Sequence, residues 1–245
     1  HSFPTRRSSD LHIAGRDEKV LTSWNALMIR GLALASRALA REDLASAAAR
    51  ALDFIRTHMW RDGRLLATYK DGRAHLAAYL DDYVLLADAV LELQQARFRP
   101  DELEFARRLL DVTLEHFEDP ASGGFFFTAD DHEALIHRSK NFGDDAMPSG
   151  NGVAALVLSR MGYLLGESRY LDAAERTLRA AWAALDKYPH AHTTLLNALD
   201  ELLHPPDIVL LRDPESSPGE SARWSADLAK PIWRSEERRV GKECR

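Results

Sequence analysis

The sequence predicts an all-α fold, a ring of helical hairpins, and three observations carry that prediction. The first is a set of single-stripe segments: "DLASAAARALDFIRTHMW", "DELEFARRLLDVTLEHF" and "RYLDAAERTLRAAWAAL" each place apolar residues on one helical face. In the last of them Leu171, Ala174, Leu178, Trp182 and Leu185 recur at helical spacing, with Arg and Glu opposite. The second is a set of segments that are apolar nearly all round: "SWNALMIRGLALASRALA", "YLDDYVLLADAVLELQ" and "NGVAALVLSRMGYLL". A helix of that kind is covered on several sides, so these read as inner helices and the striped ones as outer helices. The third is their alternation along the chain, at unit spacings of roughly 55 to 70 residues that suit stacked helix pairs.

The connections follow from their turn residues. Gly and Asp flank short apolar runs in "RDGRLLATYKDGRA" and "PASGGFFFTADDHEALIHRSK", and each is expected to form a small β-hairpin or extended loop at one end of the ring. A last inner helix, "HAHTTLLNALDELL", stops at Pro205-Pro206, since proline lacks the N–H that a helix interior needs. The run "DIVLL" then reads as a strand entering a truncated α/β tail over residues 207–233.

Residues 1–11 and 234–245 share no pattern with the chain between them. Codons can be chosen for Arg234–Arg245 whose reverse complement spells His1–Asp10, so both ends are expected to derive from one adapter DNA and are set aside. They carry seven of the 32 basic and four of the 38 acidic residues, which leaves 25 against 34 and a net charge of −9. An acidic chain of that kind is a poor partner for nucleic acid. The single cysteine, Cys244, falls in the excluded end, so no disulfide, thiol chemistry or cysteine-held metal is expected between the two ends. No apolar run is long enough to span a membrane, and a cytoplasmic protein is expected, with a signal peptide left open.

Each inner helix opens on a polar signature: "TSWN" at Thr22–Asn25, "LDDY" at Leu80–Tyr83 and "PSGN" at Pro148–Asn151. If the inner helices run the same way around a ring, their starts converge on one mouth, where free N–H groups and the positive dipole end favour bound oxygen atoms. Ser23, Asp81 and Ser149 are equally the residue types that cap helices. One cap needs one oxygen, however, and Asp81, Asp82, Asp144 and Asp145 are more than capping requires. Asp82 and Asp144 are the candidate catalytic carboxylates. Trp24, Asn25, Asp81, Tyr83, Ser149, Asn151 and His192 are the candidate substrate-binding residues, with Trp24 and Tyr83 as stacking platforms or core aromatics. Phe125–Phe127 pack a loop or line the site, and Arg138 and Lys140 neutralise Asp144 or Asp145 or are solvated. His190-x-His192 has the wrong spacing for a helical metal pair, so no metal or other cofactor is expected.

The ordered motifs "DEKVLTSWNALMI", "YLDDYVLLADAVLEL", "GGFFFTADD" and "DDAMPSGNGVAAL" together resemble the thioredoxin-domain-containing family that includes spermatogenesis-associated protein 20 and its bacterial relatives. The resemblance covers residues 12 to about 214, with Ala26, Gly152 and Asp145 standing where Gly, Ser and Gly are expected. It implies a thioredoxin-like domain with a Cys-x-x-Cys motif N-terminal to this chain. It also implies an (α/α)6 toroid like those of six-hairpin glycosidases and N-acylglucosamine 2-epimerases. Residues 12–206 would be the later half of that toroid. A carbohydrate-active site working through paired carboxylates is then the leading functional expectation, with a small molecule or glycan as substrate. An epimerase would put His192 forward as the base. The contrasting expectation is a non-catalytic ligand- or protein-binding module beside the redox domain.

Overall fold

The computed structural model of the chain describes residues 17–133 and 136–211. The two ends read as adapter-derived, and residues 212–233 of the expected tail, lie outside the described residues. Seven α-helices dominate: α1 (Thr22–Leu39), α2 (Glu42–His58), α3 (Leu80–Ala96), α4 (Pro100–His116), α5 (Gly150–Leu165), α6 (Ser168–Lys187) and α7 (Thr193–Leu203). Three hairpins, α1–α2, α3–α4 and α5–α6, stand side by side. Their first helices and α7 form an inner row in the order α1, α3, α5, α7, backed by α2, α4 and α6. The architecture is the expected partial α/α toroid.

Burial follows the two kinds of sequence pattern. In α3 every residue from Asp82 to Leu93 is buried, and in α5 every residue from Gly150 to Ser159. Such helices have no solvent face on which to put Arg or Glu, which is why their sequences read as apolar all round. The outer helices bury one stripe each, as with Ala45, Ala48, Ala49, Leu52 and Ile55 in α2. In α6 the stripe is rotated from the expected one: Tyr170, Ala173, Ala174, Thr177, Leu178, Ala181 and Leu185 are buried and Trp182 is exposed. Alanines on the packed face let α6 approach α5 closely, and the Tyr170 hydroxyl donates to Asp111 of α4 at 2.6 Å.

Helix α1 departs from the expected all-round burial. Only Thr22, Ala26, Ile29, Ala33 and Ser36 are buried, while Trp24, Met28, Leu34 and Leu39 on the opposite face are exposed. It is the edge of the arc, and among the described residues no further inner helix lies beyond it.

Of the two segments expected to form a small β-hairpin or an extended loop, the first forms hairpins and the second a loop. Strands β1 (Val20–Leu21), β2 (Trp60–Arg61), β3 (Arg64–Lys70) and β4 (Arg73–Ala77) form an antiparallel sheet in which β3 pairs with the other three. The β2–β3 and β3–β4 turns are Asp62-Gly63 and Asp71-Gly72, with all four residues at positive φ, the backbone a two-residue hairpin turn demands. Among the described residues the loop between α4 and α5 has a single bridge, Glu118 with Phe125. Side chains satisfy its backbone instead. Arg138 donates to the carbonyls of Thr128 and His116, and Lys140 to that of Gly123. Asn151 accepts from the Phe125 N–H at 2.7 Å and donates to the carbonyls of Phe125 and Asn141. The strand expected at 207–211 is absent: Ile208 to Leu211 are exposed and find no partner strand among the described residues. Among the described residues no helix is long and apolar enough to cross a membrane.

The edge assignment of α1 has a simple mutational signature. Trp24→Glu and Met28→Glu should each change unfolding free energy by no more than about 0.5 kcal/mol, whereas Ile29→Ala, one residue on, should cost about 2–5 kcal/mol. Chemical denaturation of the three variants checks this, and a large loss at Trp24 would mean that this face is packed.

Candidate functional site

All four inner helices begin at the same mouth of the arc, and two aspartates tie their starts together. Asp82 is the third residue of α3. Its Oδ2 accepts from the backbone N–H of Tyr79, just before the helix, at 3.0 Å, and its Oδ1 from that of Ser23 in the first turn of α1 at 2.9 Å. Asp144 does the same for the other pair. Its Oδ1 accepts from the Ser149 N–H at 2.9 Å, and its Oδ2 from the Thr194 N–H at 2.9 Å and the Thr193 hydroxyl at 2.8 Å. Ser149 caps α5 by accepting from the Gly152 N–H at 3.1 Å. A helix start leaves up to four N–H groups without intrahelical partners, and these carboxylates supply them at the buried mouth. Several of the donors expected at the mouth are therefore already met by the protein's own oxygens.

Both candidate catalytic carboxylates thus serve helix starts. Asp82 and Asp144 each have both oxygens committed to helix starts. Burial pushes the Asp144 carboxyl up, but the N–H groups of Ser149 and Thr194 and the Thr193 hydroxyl outweigh it and hold the group below the usual carboxylate range. Several binding candidates are likewise structural. Tyr83 is fully buried, its hydroxyl accepting from the Leu65 N–H at 2.9 Å and its ring 5.3 Å from that of Phe117. Asn151 is buried and holds the α4–α5 loop. Asn25 donates to the Leu21 carbonyl at 2.8 Å, and Trp24 lies on the exposed edge of α1. The His192 ring is buried, with Nδ1 donating to the Tyr188 carbonyl at 2.7 Å. Arg138 and Lys140 neutralise neither Asp144 nor Asp145: Lys140 pairs with Asp119, and Arg138 serves carbonyls and lies over the Phe126 ring.

Asp81 is different. It lines a cleft of about 440 Å3 between the starts of α3 and α5, together with Phe127, Ser139, Asn141, Asp145 and Met147. Ser149, Gly150 and Asn151 contribute to its wall at the start of α5. Among the described residues its carboxylate has no hydrogen-bond or ion-pair partner. Burial, and then the neighbouring Asp82 charge, push it up to about 6. Burial pushes Asp82 up too, against the Tyr79 and Ser23 N–H groups. We place the proton of this adjacent pair on Asp81, because protonating Asp82 would sacrifice an N–H bond at a helix start, whereas Asp81 has none to lose.

The same face of α3 provides a comparison. Asp81, Asp88 and Glu92 stand at helical spacing on one side, descending from the mouth. Arg30 of α1 approaches Asp88 to 2.7 Å, without hydrogen-bond alignment, and Arg160 of α5 lies 3.4 Å from its other oxygen. Arg37 pairs with Glu92, and Arg160 also grips Glu201 of α7. Thus two of three acids are neutralised by arginines from flanking helices, and only the one beside the cleft is not.

Gly150 makes room for that carboxylate: a Cβ there would lie 2.2 Å from Asp81 Oδ1. Phe127 forms the aromatic wall, stacked on Tyr79 at 4.7 Å between ring centroids and fixed by its carbonyl accepting from the Leu80 N–H at 3.0 Å. A separate cluster, His116, Asp130 and Asp131, brings three metal-type ligands within 4.8 Å of one another. Its members are already engaged: His116 Nδ1 bonds Asp130 at 2.8 Å and Asp131 receives both guanidinium arms of Arg64.

Because Asp81 binds its proton more tightly folded than unfolded, its stabilising contribution is complete below the ordinary value of 3.8 and is lost as pH rises through about 6. Asp81→Asn should therefore raise stability at pH 7.5 by on the order of 1–3 kcal/mol and leave it nearly unchanged at pH 4. Asp144, held low, has the opposite sense: its contribution is present above the ordinary carboxylate range and lost as pH falls through its depressed value. Asp144→Asn should cost about 1–3 kcal/mol at pH 7.5 and less in acid. Urea melts of both variants at the two pH values test the contrast, and parallel behaviour would contradict it.

No protein-family model matches the sequence. Spermatogenesis-associated protein 20 of Rattus norvegicus is 31% identical over 212 residues, which cover 82% of this chain and 27% of the rat protein. Among solved structures the chain is similar to the GH76A α-1,6-mannanase of Salegentibacter sp. HEL1_6, with a TM-score of 0.60 and 14% identity over 86% of this chain and 62% of the enzyme. A variant of that enzyme with two consecutive aspartates replaced is inactive and was solved with α-1,6-mannotriose. The cellobiose 2-epimerase of Bacillus thermoamylovorans B4167 is similar with a TM-score of 0.57 and 10% identity over 89% of this chain and 73% of the epimerase. The enzymes share the toroid with this chain, which spans about a quarter of the length of the rat protein, and over that shared part the chain belongs to the family of spermatogenesis-associated protein 20.

Proposed function

We propose that this toroid is carbohydrate-active and that Asp81, not Asp82, is the group that moves a proton. The observation that carries the reading is a half-buried carboxyl at the wall of a cleft with no hydrogen-bond or ion-pair partner among the described residues, which burial and the Asp82 charge push up to about 6. A general acid must keep its proton near working pH and have nothing else to give it to, and burial beside a second carboxylate produces that state. Asp82, fixed by two helix starts, serves as the neighbouring negative charge. The inactivation of the similar mannanase by replacing two consecutive aspartates supports an adjacent pair as working groups on this fold.

In a glycosidic cleavage Asp81 would donate its proton to the leaving oxygen as the anomeric C–O bond breaks, and water or a carboxylate would attack the anomeric carbon. Asp145 is the other carboxylate of the cleft lining and is exposed to take the proton of an attacking water. Phe127, 37% exposed, offers a ring face against which a sugar can pack. An epimerase reading is less well supported, because His192, its base candidate, is buried with Nδ1 bonded to a carbonyl and stands outside the cleft lining.

Hydrolysis of aryl and oligomeric α-glycosides by the full-length protein tests the proposal. Asp81→Asn should lower kcat/KM by at least about 100-fold, the usual scale for losing a general acid, while the variant stays folded. Gly150→Ala, which crowds the carboxylate, should reduce activity in the same direction. Sugar binding that survives in Asp81→Asn, with no turnover by the unmodified protein, would favour a binding module serving a thioredoxin-like domain.

A further inference from the structure

We infer that the cleft takes uncharged or amino-bearing sugars and excludes uronates and sugar phosphates; this rests on the carbohydrate reading above. The charges around the cleft are one-sided. Asp81 and Asp145 line it, and among the described residues no Lys, Arg or His does. The cations of the adjoining loop are spent: Lys140 on Asp119 and the Gly123 carbonyl, Arg138 on the Thr128 and His116 carbonyls. His192 stands behind the wall, its Nε2 3.9 Å from where a Gly143 Cβ would be.

The starts of helices are the usual remedy for a missing cation, since their N–H groups and dipoles hold anions. Here part of that remedy is already taken. Asp82 accepts from Ser23, Asp144 from Ser149 and Thr194, and Ser149 from Gly152, so these helix-start donors meet protein oxygens. A ligand anion in the cleft would thus face two carboxylates, with no cationic side chain in the described lining to offset them. An ammonium group would find the reverse, and a neutral hydroxyl would meet the acceptors of Asp81 and Asp145, the Asn141 amide and the Ser139 hydroxyl at no electrostatic cost. Asp145 is the specificity-determining residue of this arrangement, because its oxygens are exposed and bear no structural duty among the described residues.

The test uses one scaffold in four charge states. Methyl glucoside, glucosamine, glucuronate and glucose 6-phosphate, with the matching mannose set, are titrated into the full chain at pH 7.5, with Asp81→Asn and Asp145→Asn alongside. The expected result is binding of the neutral and amino sugars, with the anionic ones at least about tenfold weaker, a factor equivalent to 1.4 kcal/mol. Asp145→Asn, on an exposed loop, should narrow that gap by about threefold or more without altering the melting temperature. Anionic sugars that bind as tightly as neutral ones, at a site weakened by Asp81→Asn, would overturn the charge inference and leave the carbohydrate reading standing. If no sugar of any charge binds, both fall.

Discussion

Everything at the working end of this arc depends on two carboxylates that accept backbone N–H groups from helices other than their own. Four inner helices start side by side at one mouth, and their first turns would bury donors with no partner. Asp82 joins α1 to α3, and Asp144 joins α5 to α7. Each bond to an ionised carboxylate is stronger than a neutral one, and each places a negative charge at the positive end of a helix dipole. The consequence is geometric as much as energetic. The cleft lies between the two pairs, in the gap between α3 and α5, and the α4–α5 loop bridges that gap: the Phe127 carbonyl accepts from the Leu80 N–H, and Asn151 holds Phe125.

The same frame explains why Asp81 is left without a partner. Lower on its face of α3, Asp88 and Glu92 are buried acids of the same kind, and the flanking helices supply Arg30, Arg160 and Arg37 to meet them. A buried ion pair of this type contributes register more than stability, since desolvation consumes most of its Coulomb energy. At the level of Asp81 the flanking helix instead presents Gly150, whose missing side chain admits the carboxylate without compensating its charge. A protein selected only for stability would put an apolar or paired residue there. Retaining an unpaired acid at a cleft wall costs stability and yields a group able to exchange a proton near neutrality.

Most of the fold was legible because the distinction between helices covered on one side and on several is written directly in composition. Alternation of the two kinds then led to the hairpin arc, and Asp-Gly dipeptides marked the β turns. Three features were not legible. The exposed face of α1 is as apolar as a buried one, so its sequence could not reveal that nothing described covers it. The stripe of α6 was misplaced because alanine weighs little in an apolar pattern, yet packs as closely as any residue. In the site, "LDDY" offered two aspartates one residue apart, and only the position of the helix boundary decides which is which. The third helical residue reaches back to the N–H before the helix, as in a capping box, while the second points away. Surplus carboxylates at the mouth can be read from the sequence, whereas which of them bond the helix starts, Asp82 and Asp144, cannot. Phe127 and the loop residues of the cleft come from a segment without periodicity, where nothing local predicts which side chains turn inward.

The proposed chemistry rests on Asp81 being a half-buried, unneutralised acid at the wall of a cleft. The most direct measurement is the carboxyl carbon-13 titration of Asp81 by NMR in the folded chain, assigned through Asp81→Asn. The account predicts a midpoint near 6, distinct from a second, lower step in the adjacent pair, and a shift in that midpoint when a glycan occupies the cleft. A midpoint at or below about 4, the value of a solvated aspartate, together with no response to any glycan, would contradict it.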